Sequence, residues 1–242
     1  MVGEWGALPE AILFDLDDTI LDGGLREGVL AHVADELADE LGPDAQKSLV
    51  AELEAAFAAY WSDPNRHKAG RFALTEVRRR VVAGVFAGSG RTQLSESLAH
   101  RFADRFTSAR EVMMCPFPGA VKTVAELKAR GVRLALITNG DGPTQRGKIA
   151  RFELAGYFEH IQIEGEHGFG KPEPQAYRHC LTALGVAPAD CRIVGDDLEW
   201  EGAAPQRLGI HAIWHDHRGA GLPPGSDVRP DRIIRTLTEL LA

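Results

Sequence analysis

The chain has 242 residues, 44% hydrophobic and 26% charged, an ordinary globular make-up that excludes disorder along its whole length. Its net charge of −8, from 27 Lys and Arg against 35 Asp and Glu, argues against a nucleic-acid partner held through phosphate contacts. Cys115, Cys180 and Cys191 are too few and too scattered for a disulfide framework or a zinc site.

No run of about 18 apolar residues offers a membrane span. Residues Met1 to Gly6 lack the basic and apolar stretches of a secretory leader, so the expected compartment is the cytoplasm. The first structural signal is the apolar run Ala11-Ile12-Leu13-Phe14, which ends in Asp15 and suits a strand buried on both faces. Residues 25–110 then read as helices alone. Leu30, Val33, Leu37 and Leu41 recur at helical spacing before Gly42-Pro43. Leu49, Leu53, Phe57 and Tyr60 follow, stopped by Asp63-Pro64. Leu74, Val77, Val81 and Val85 precede Gly88-Ser89-Gly90, and Leu94, Leu98, Phe102 and Phe106 make a fourth set. Four amphipathic stretches with short breaks predict a small helical bundle.

From about residue 112 the pattern alternates. Short apolar runs at Val132–Ile137, Ile161–Ile163, Arg192–Val194 and Ile210–Trp214 are separated by helical stretches around Leu127, Phe152, Leu181 and Leu208. Alternating βα units predict an α/β, Rossmann-like parallel sheet with helices on both faces, to which the run 11–14 belongs. The expected division is a sheet domain of residues 1–22 and 112–242 with residues 23–111 inserted as a helical cap. Leu21 to Gly24 and Cys115 to Gly119 are the expected hinges. Residues 219–230 read as a Gly/Pro-rich loop, and 231–241 as a short strand or helix returning to the sheet domain.

Ligands of an open α/β sheet bind beyond the carboxyl ends of its strands. Asp15-Leu16-Asp17-Asp18-Thr19 follows the first run, Thr138-Asn139-Gly140 the second, and Gly195-Asp196-Asp197 the Arg192–Val194 run, with Gly170-Lys171-Pro172 between the last two. Carboxylates gathered at one place need a cation. An all-oxygen donor set without His or Cys favours Mg²⁺ over zinc. One carboxylate can then be a nucleophile and another a proton carrier, while a Lys and a Thr hydroxyl hold phosphoryl oxygens. Each residue alone has a plainer reading: a turn aspartate, a helix cap at Thr138, Asn139 or Asp197, a surface lysine at Lys171. Their order along the chain favours phosphoryl transfer.

With these motifs the chain resembles the haloacid dehalogenase superfamily, and the inserted helices resemble its C1-type cap. The stretch from Thr138-Asn139-Gly140-Asp141 through Thr144-Gln145-Arg146 to Lys148-Ile149 is similar to N-acylneuraminate-9-phosphatases and nucleotide phosphatases. The resemblance implies a phosphatase in which Asp15 attacks phosphorus and Asp17 protonates the leaving alcohol and later activates water. It implies Mg²⁺ held by the Asp15 side chain, the Asp17 carbonyl and Asp196. Thr138 and the Asn139 backbone would bind phosphoryl oxygens, and Lys171 would neutralise charge. Asp197 would support Lys171 or the metal's waters. Glu201 is a weaker candidate for a second acid there, and Asp18 reads as structural. The pKa of Asp17 is expected to be raised by nearby negative charge. His211, His215 and His217 with Asp216 are expected in a loop near the pocket rim, not as a metal cluster. The basic segment Asn65 to Arg71 is expected as an inter-helix loop, with Arg71 as a substrate contact.

Asp17 makes dehalogenation and phosphonate cleavage poor readings, because it supplies the proton traffic that phosphate esters need. A phosphomutase shares this chemistry. A signalling receiver domain uses a similar residue set in a different order. The expected substrate is a small phosphate ester, of the sugar phosphate or nucleotide class; the sequence does not assign an oligomeric state.

Overall fold

The computed structural model describes residues 8–42, 46–88 and 95–242; Met1 to Gly6, Pro43, Ser89, Gly90 and Leu94 lie outside the described residues. In chain order the elements are β1 (Ala11–Phe14), β2 (Leu21–Asp22), α1 (Arg26–Glu36), α2 (Ala38–Leu41), α3 (Gln46–Trp61), α4 (Pro64–Gly70), α5 (Leu74–Gly88) and α6 (Glu96–Met113). There follow β3 (Cys115–Pro116), α7 (Ala120–Ala129), β4 (Arg133–Thr138), α8 (Gly142–Arg151), β5 (His160–Ile163), α9 (Glu164–His167) and α10 (Pro174–Leu184). The chain ends with β6 (Cys191–Gly195), a π-helical turn (Leu198–Ala203), α11 (Ala204–Gln206), β7 (His211–His215), β8 (Arg232–Ile234) and a 3₁₀ turn (Leu237–Leu241). The chain divides into two units, Met1–Asp22 with Cys115–Ala242, and Gly23–Met114. Helix α6 runs on to Met113, so the helical unit ends three residues beyond the expected 111.

The sheet unit is a six-stranded parallel sheet in the order β5-β4-β1-β6-β7-β8. All four residues of β1 are buried, as a strand covered on both faces must be. Ala11 and Leu13 pack with Ala176, Tyr177, Cys180 and Leu184 of α10. Phe14, of opposite parity, meets Phe158 edge-on at 6.4 Å between ring centroids. From β1 the chain passes to β4 and β5 on one side and returns to β6 on the other. This is the topological switch point, where an α/β sheet opens a crevice at its strand ends.

Two strands escaped the sequence reading. Beyond Phe14 the chain folds back, with Ile20 N and Leu21 N both donating to Leu16 O, and Asp18 N to Leu21 O. Asp18 sits at φ 56°, a left-handed conformation that Asp tolerates better than most residues, so its role here is to turn the chain. The chain leaves through β2 and comes back through β3, and the two pair antiparallel. Both expected hinges thus contribute to one small ribbon.

The helical unit buries Leu30, Val33, Leu53, Phe57, Phe102 and Phe106 in a single apolar core, the stripe that helical spacing requires. One expectation fails here. Residues 64–70 form α4 rather than an inter-helix loop. Asp63 caps it, accepting from Asn65 N at 2.9 Å and Arg66 N at 3.2 Å, and Pro64 occupies the first turn, where its missing N–H costs nothing. Asp63-Pro64 ends one helix and starts the next.

Candidate active site

Asp15 extends β1 by one residue, its N–H donating to Val194 O at 3.0 Å. This fixes its side chain at the central strand end. Thr19 Oγ1, fully buried, donates to Asp15 Oδ2 at 3.1 Å, and Lys171 Nζ donates to Oδ1 at 2.5 Å. Burial pushes the Asp15 carboxyl up, and the Lys171 cation opposes that rise. Thr19 was within the motif but had been given no role.

Lys171 is 1% exposed, which ends the surface-lysine reading. Its ammonium lies between two carboxylates, Asp15 and Glu201, the latter at 2.6 Å. Burial alone would depress its pKa, but the two anions raise it overall. Its backbone is clamped by Asn139, whose Oδ1 accepts from Lys171 N at 2.9 Å and whose Nδ2 donates to Lys171 O at 2.7 Å. With its side chain so engaged, Asn139 has its backbone left for a ligand. Gly170 makes the clamp fit, since a Cβ there would lie 2.5 Å from Asn139 Oδ1.

Of the two roles expected of Asp197, the contact with Lys171 belongs to Glu201. Asp197 Oδ1 accepts from Glu199 N and Trp200 N at 2.9 and 2.8 Å, capping the π-helical turn. Glu201, 1% exposed, reaches Lys171 with one oxygen and accepts from Asp197 N at 3.0 Å with the other. It passes directly over Gly195, where a Cβ would lie 2.1 Å from Glu201 Cγ. Burial raises the Glu201 carboxyl.

Thr138 ends β4, buried, with Oγ1 accepting from Gln145 Nε2 at 2.5 Å. The helix cap on this turn is Asp141, accepting from Thr144 N at 3.0 Å, so Thr138 and Asn139 are not the caps of α8. Gln145 also donates to Asp17 Oδ2 at 3.0 Å, and Lys148 Nζ lies 2.8 and 2.7 Å from the two Asp17 oxygens. The charge of Asp17 adds to the rise of the Asp15 carboxyl, and the direct partner of Asp17 is a cation, Lys148.

Asp196 follows β6. Its carboxyl is pushed well up by burial and then by the negative charges of Asp15, Glu201 and Asp18. Lys171 answers this group of acids only in part. The donors are oxygens and the excess charge is negative, so these residues fit a hard divalent cation such as Mg²⁺.

His211 to His215 form β7 rather than a rim loop, and His215 is buried with its ring edge-on to Phe117 at 5.2 Å. Arg71 belongs to the helical unit, where it closes the C-terminus of α4, buried, with Nη1 3.5 Å from His67 Nδ1.

A family model for haloacid dehalogenase-like hydrolases matches residues 9–209. The chain belongs to that family. It is 32% identical to phosphoserine phosphatase of Thermus thermophilus, over 95% of this chain and 96% of that protein. It is 30% identical to human N-acylneuraminate-9-phosphatase, over 96% and 92%. The fold matches that of the HAD-hydrolase YfnB of Bacillus subtilis, solved bound to magnesium, with a TM-score of 0.73 and 21% identity over 97% of both chains. The protein is a phosphoric monoester hydrolase of the family, and its relatives act on small phosphate esters. Among the described residues no helix is long and apolar enough to cross a membrane.

Proposed function

We infer that this hydrolase cleaves a small phosphomonoester, of the sugar phosphate or nucleotide class, through a phosphoryl group carried on Asp15. The observation that carries this reading is the buried Asp15 carboxylate, oriented by Thr19 and Lys171 at the switch point of the sheet. An Asp15 oxygen forms the bond to phosphorus as the ester P–O bond breaks, and Asp17 gives its proton to the leaving oxygen. Water then attacks phosphorus, Asp17 takes a proton from it, and the bond to Asp15 breaks, releasing phosphate. Lys171, Thr138 Oγ1 and the Asn139 backbone hold the equatorial oxygens. Lys148 and Gln145 hold Asp17 in place between its two proton transfers. Mg²⁺, held by Asp15, the Asp17 carbonyl and Asp196, would supply charge neutralisation at the phosphoryl group.

The test is hydrolysis of p-nitrophenyl phosphate and of a panel of sugar phosphates and nucleotides. Activity is expected with Mg²⁺ and is expected to stop with a chelator. Mass spectrometry of acid-quenched enzyme should find phosphate on Asp15. Full activity in excess chelator, or phosphate on another residue, would overturn the reading.

A further inference from the structure

Beyond the acidic site, three histidines from three consecutive elements meet at the edge of the sheet. His160 opens the edge strand β5, His167 ends α9 and His179 lies in α10. One ring nitrogen from each lies within 4.8 Å of the other two, and all three residues are half-buried. The rings meet edge-on or tilted, with centroids 4.9 Å apart for His160 and His179, 4.8 Å for His167 and His179 and 6.1 Å for His160 and His167.

The hydrogen bonds around the cluster set the tautomers of two of the rings. Gln162 Nε2 donates to Phe169 O at 3.1 Å, which makes Gln162 Oε1 an acceptor. His179 Nδ1 lies 2.6 Å from that oxygen and so carries the ring hydrogen. His167 Nδ1 lies 3.0 Å from Ile163 O, a carbonyl that can only accept, so it too carries the hydrogen. In the neutral rings both Nε2 atoms then present lone pairs. His160 Nε2 is buried with no hydrogen-bond partner among the described residues. A buried polar atom left unpaired calls for an explanation.

In His167 and His179 the Nδ1–H donates to an oxygen, the arrangement that orients metal-binding histidines. We propose that His160, His167 and His179 form a binding site for a borderline divalent transition metal, Zn²⁺ by preference, separate from the oxygen-lined site at Asp15. Three neutral imidazoles suit Zn²⁺ and its first-row neighbours and hold Mg²⁺ poorly. A triangle with sides of 4.8 Å has its centre about 2.8 Å from each corner, against a Zn–N distance of about 2.0–2.1 Å. Closing that gap takes about 0.7 Å of movement per ring, within reach of half-buried side chains. The fourth position falls to water or to an exogenous ligand. Gln162 links the site to the Lys171 loop, because the amide that orients His179 also holds the carbonyl of Phe169, two residues before Lys171.

The test uses the whole protein in excess Mg²⁺. Calorimetric titration with Zn²⁺ is expected to show one equivalent bound, and Co²⁺ is expected to give the visible spectrum of a nitrogen-ligated tetrahedral ion. His160→Gln and His179→Gln should each weaken binding at least 100-fold and abolish the Zn²⁺-induced rise in melting temperature. Circular dichroism at 25 °C should show both variants folded, and their Mg²⁺-dependent hydrolysis should persist. Asp196→Ala should bind Zn²⁺ as the unaltered protein does. Unchanged Zn²⁺ affinity in both histidine variants, or loss of binding in Asp196→Ala alone, would overturn the site. So would an octahedral Co²⁺ spectrum. The binding, spectroscopic and melting readouts do not depend on phosphatase turnover.

Discussion

The two units use polar residues in opposite ways. In the helical unit the ion pairs stand at the surface: Arg26 with Glu54 at 2.9 Å, Arg79 with Asp104 at 2.8 Å, Arg105 with Glu36 at 3.0 Å, all between partly and well exposed. Such pairs are each worth about 0–1 kcal/mol. In the sheet unit Asp15, Thr19, Thr138, Lys171 and Glu201 are buried together at one strand edge. Removing one partner from a buried charged pair leaves the other uncompensated and costs about 3–5 kcal/mol. The helical unit therefore holds a shape, and the sheet unit holds a set of charges in tension. Substitutions should be felt as stability in the first and as chemistry in the second.

The sharpest break is at Asp15. Asp15→Asn replaces a carboxylate with a poor nucleophile and should lower kcat by about 10³-fold or more, equal to about 4 kcal/mol of barrier. The surface pairs of the helical unit make the control: Arg79→Ala should leave kcat within about twofold. Steady-state kinetics on p-nitrophenyl phosphate measures both. A comparable loss in the two variants would mean that the division of labour is wrong.

A second comparison lies within the sheet unit, between Glu201 and Asp197. Glu201→Ala removes one of the two anions around a buried ammonium and should cut kcat by roughly 100-fold, about 2.7 kcal/mol. Asp197→Ala removes a cap and should cost about 1 kcal/mol of stability, with little change in kcat. Urea unfolding alongside kinetics separates them. The reverse ranking would return the Lys171 support to Asp197.

These two residues also show where the sequence stops being legible. Strand β1 and three of the helical stripes were readable because burial imposes a period of its own on each, whereas α5 buries Val77, Val82 and Phe86 and leaves the expected Leu74, Val81 and Val85 only partly covered. Asp15, Thr138 and Asp196 were readable because each stands at a strand end on the same edge, and Lys171 because its motif falls in order between them. The role of Glu201 was not, because it rests on a backbone approach over Gly195 that no spacing rule reports. Strands β2 and β3 have two residues each, too few for a pattern. Helix α4 was hidden by a proline read as a stop, although proline also suits a first helical turn. Lys148 and Gln145 meet Asp17 across about 130 positions, and His160, His167 and His179 combine a strand, a short helix and a longer one, so no single periodicity covers either group.

Lys148 gives a smaller and more selective effect. It holds Asp17, which in the proposed mechanism protonates the leaving oxygen, so its loss should matter only when that oxygen needs a proton. Lys148→Met should lower kcat/KM by roughly tenfold for an alkyl phosphate, about 1.4 kcal/mol, and much less for p-nitrophenyl phosphate, whose leaving group departs as an anion. Equal losses on the two esters would assign Lys148 to phosphate binding instead.

The least effect on chemistry is expected at Arg71, where the contrast between the units meets its hardest case. Among the described residues, Arg71 is the charged side chain that the helical unit buries, at 9% exposure, and it closes α4 beside His67. A buried guanidinium is retained either because it packs and bonds within its own unit or because its fork is needed for a ligand. We assign it the second task, as a contact for the substrate's organic portion. On that assignment Arg71→Ala should raise KM about tenfold, or about 1.4 kcal/mol, for the best substrate found in the panel, with kcat preserved. It should leave p-nitrophenyl phosphate nearly unchanged, since that ester carries no matching hydroxyl or carboxylate. Arg71→Lys should recover only part of the loss, because an ammonium cannot bond in the same forked manner. A fall in melting temperature with KM unaltered on both esters would instead make Arg71 a closing residue of α4.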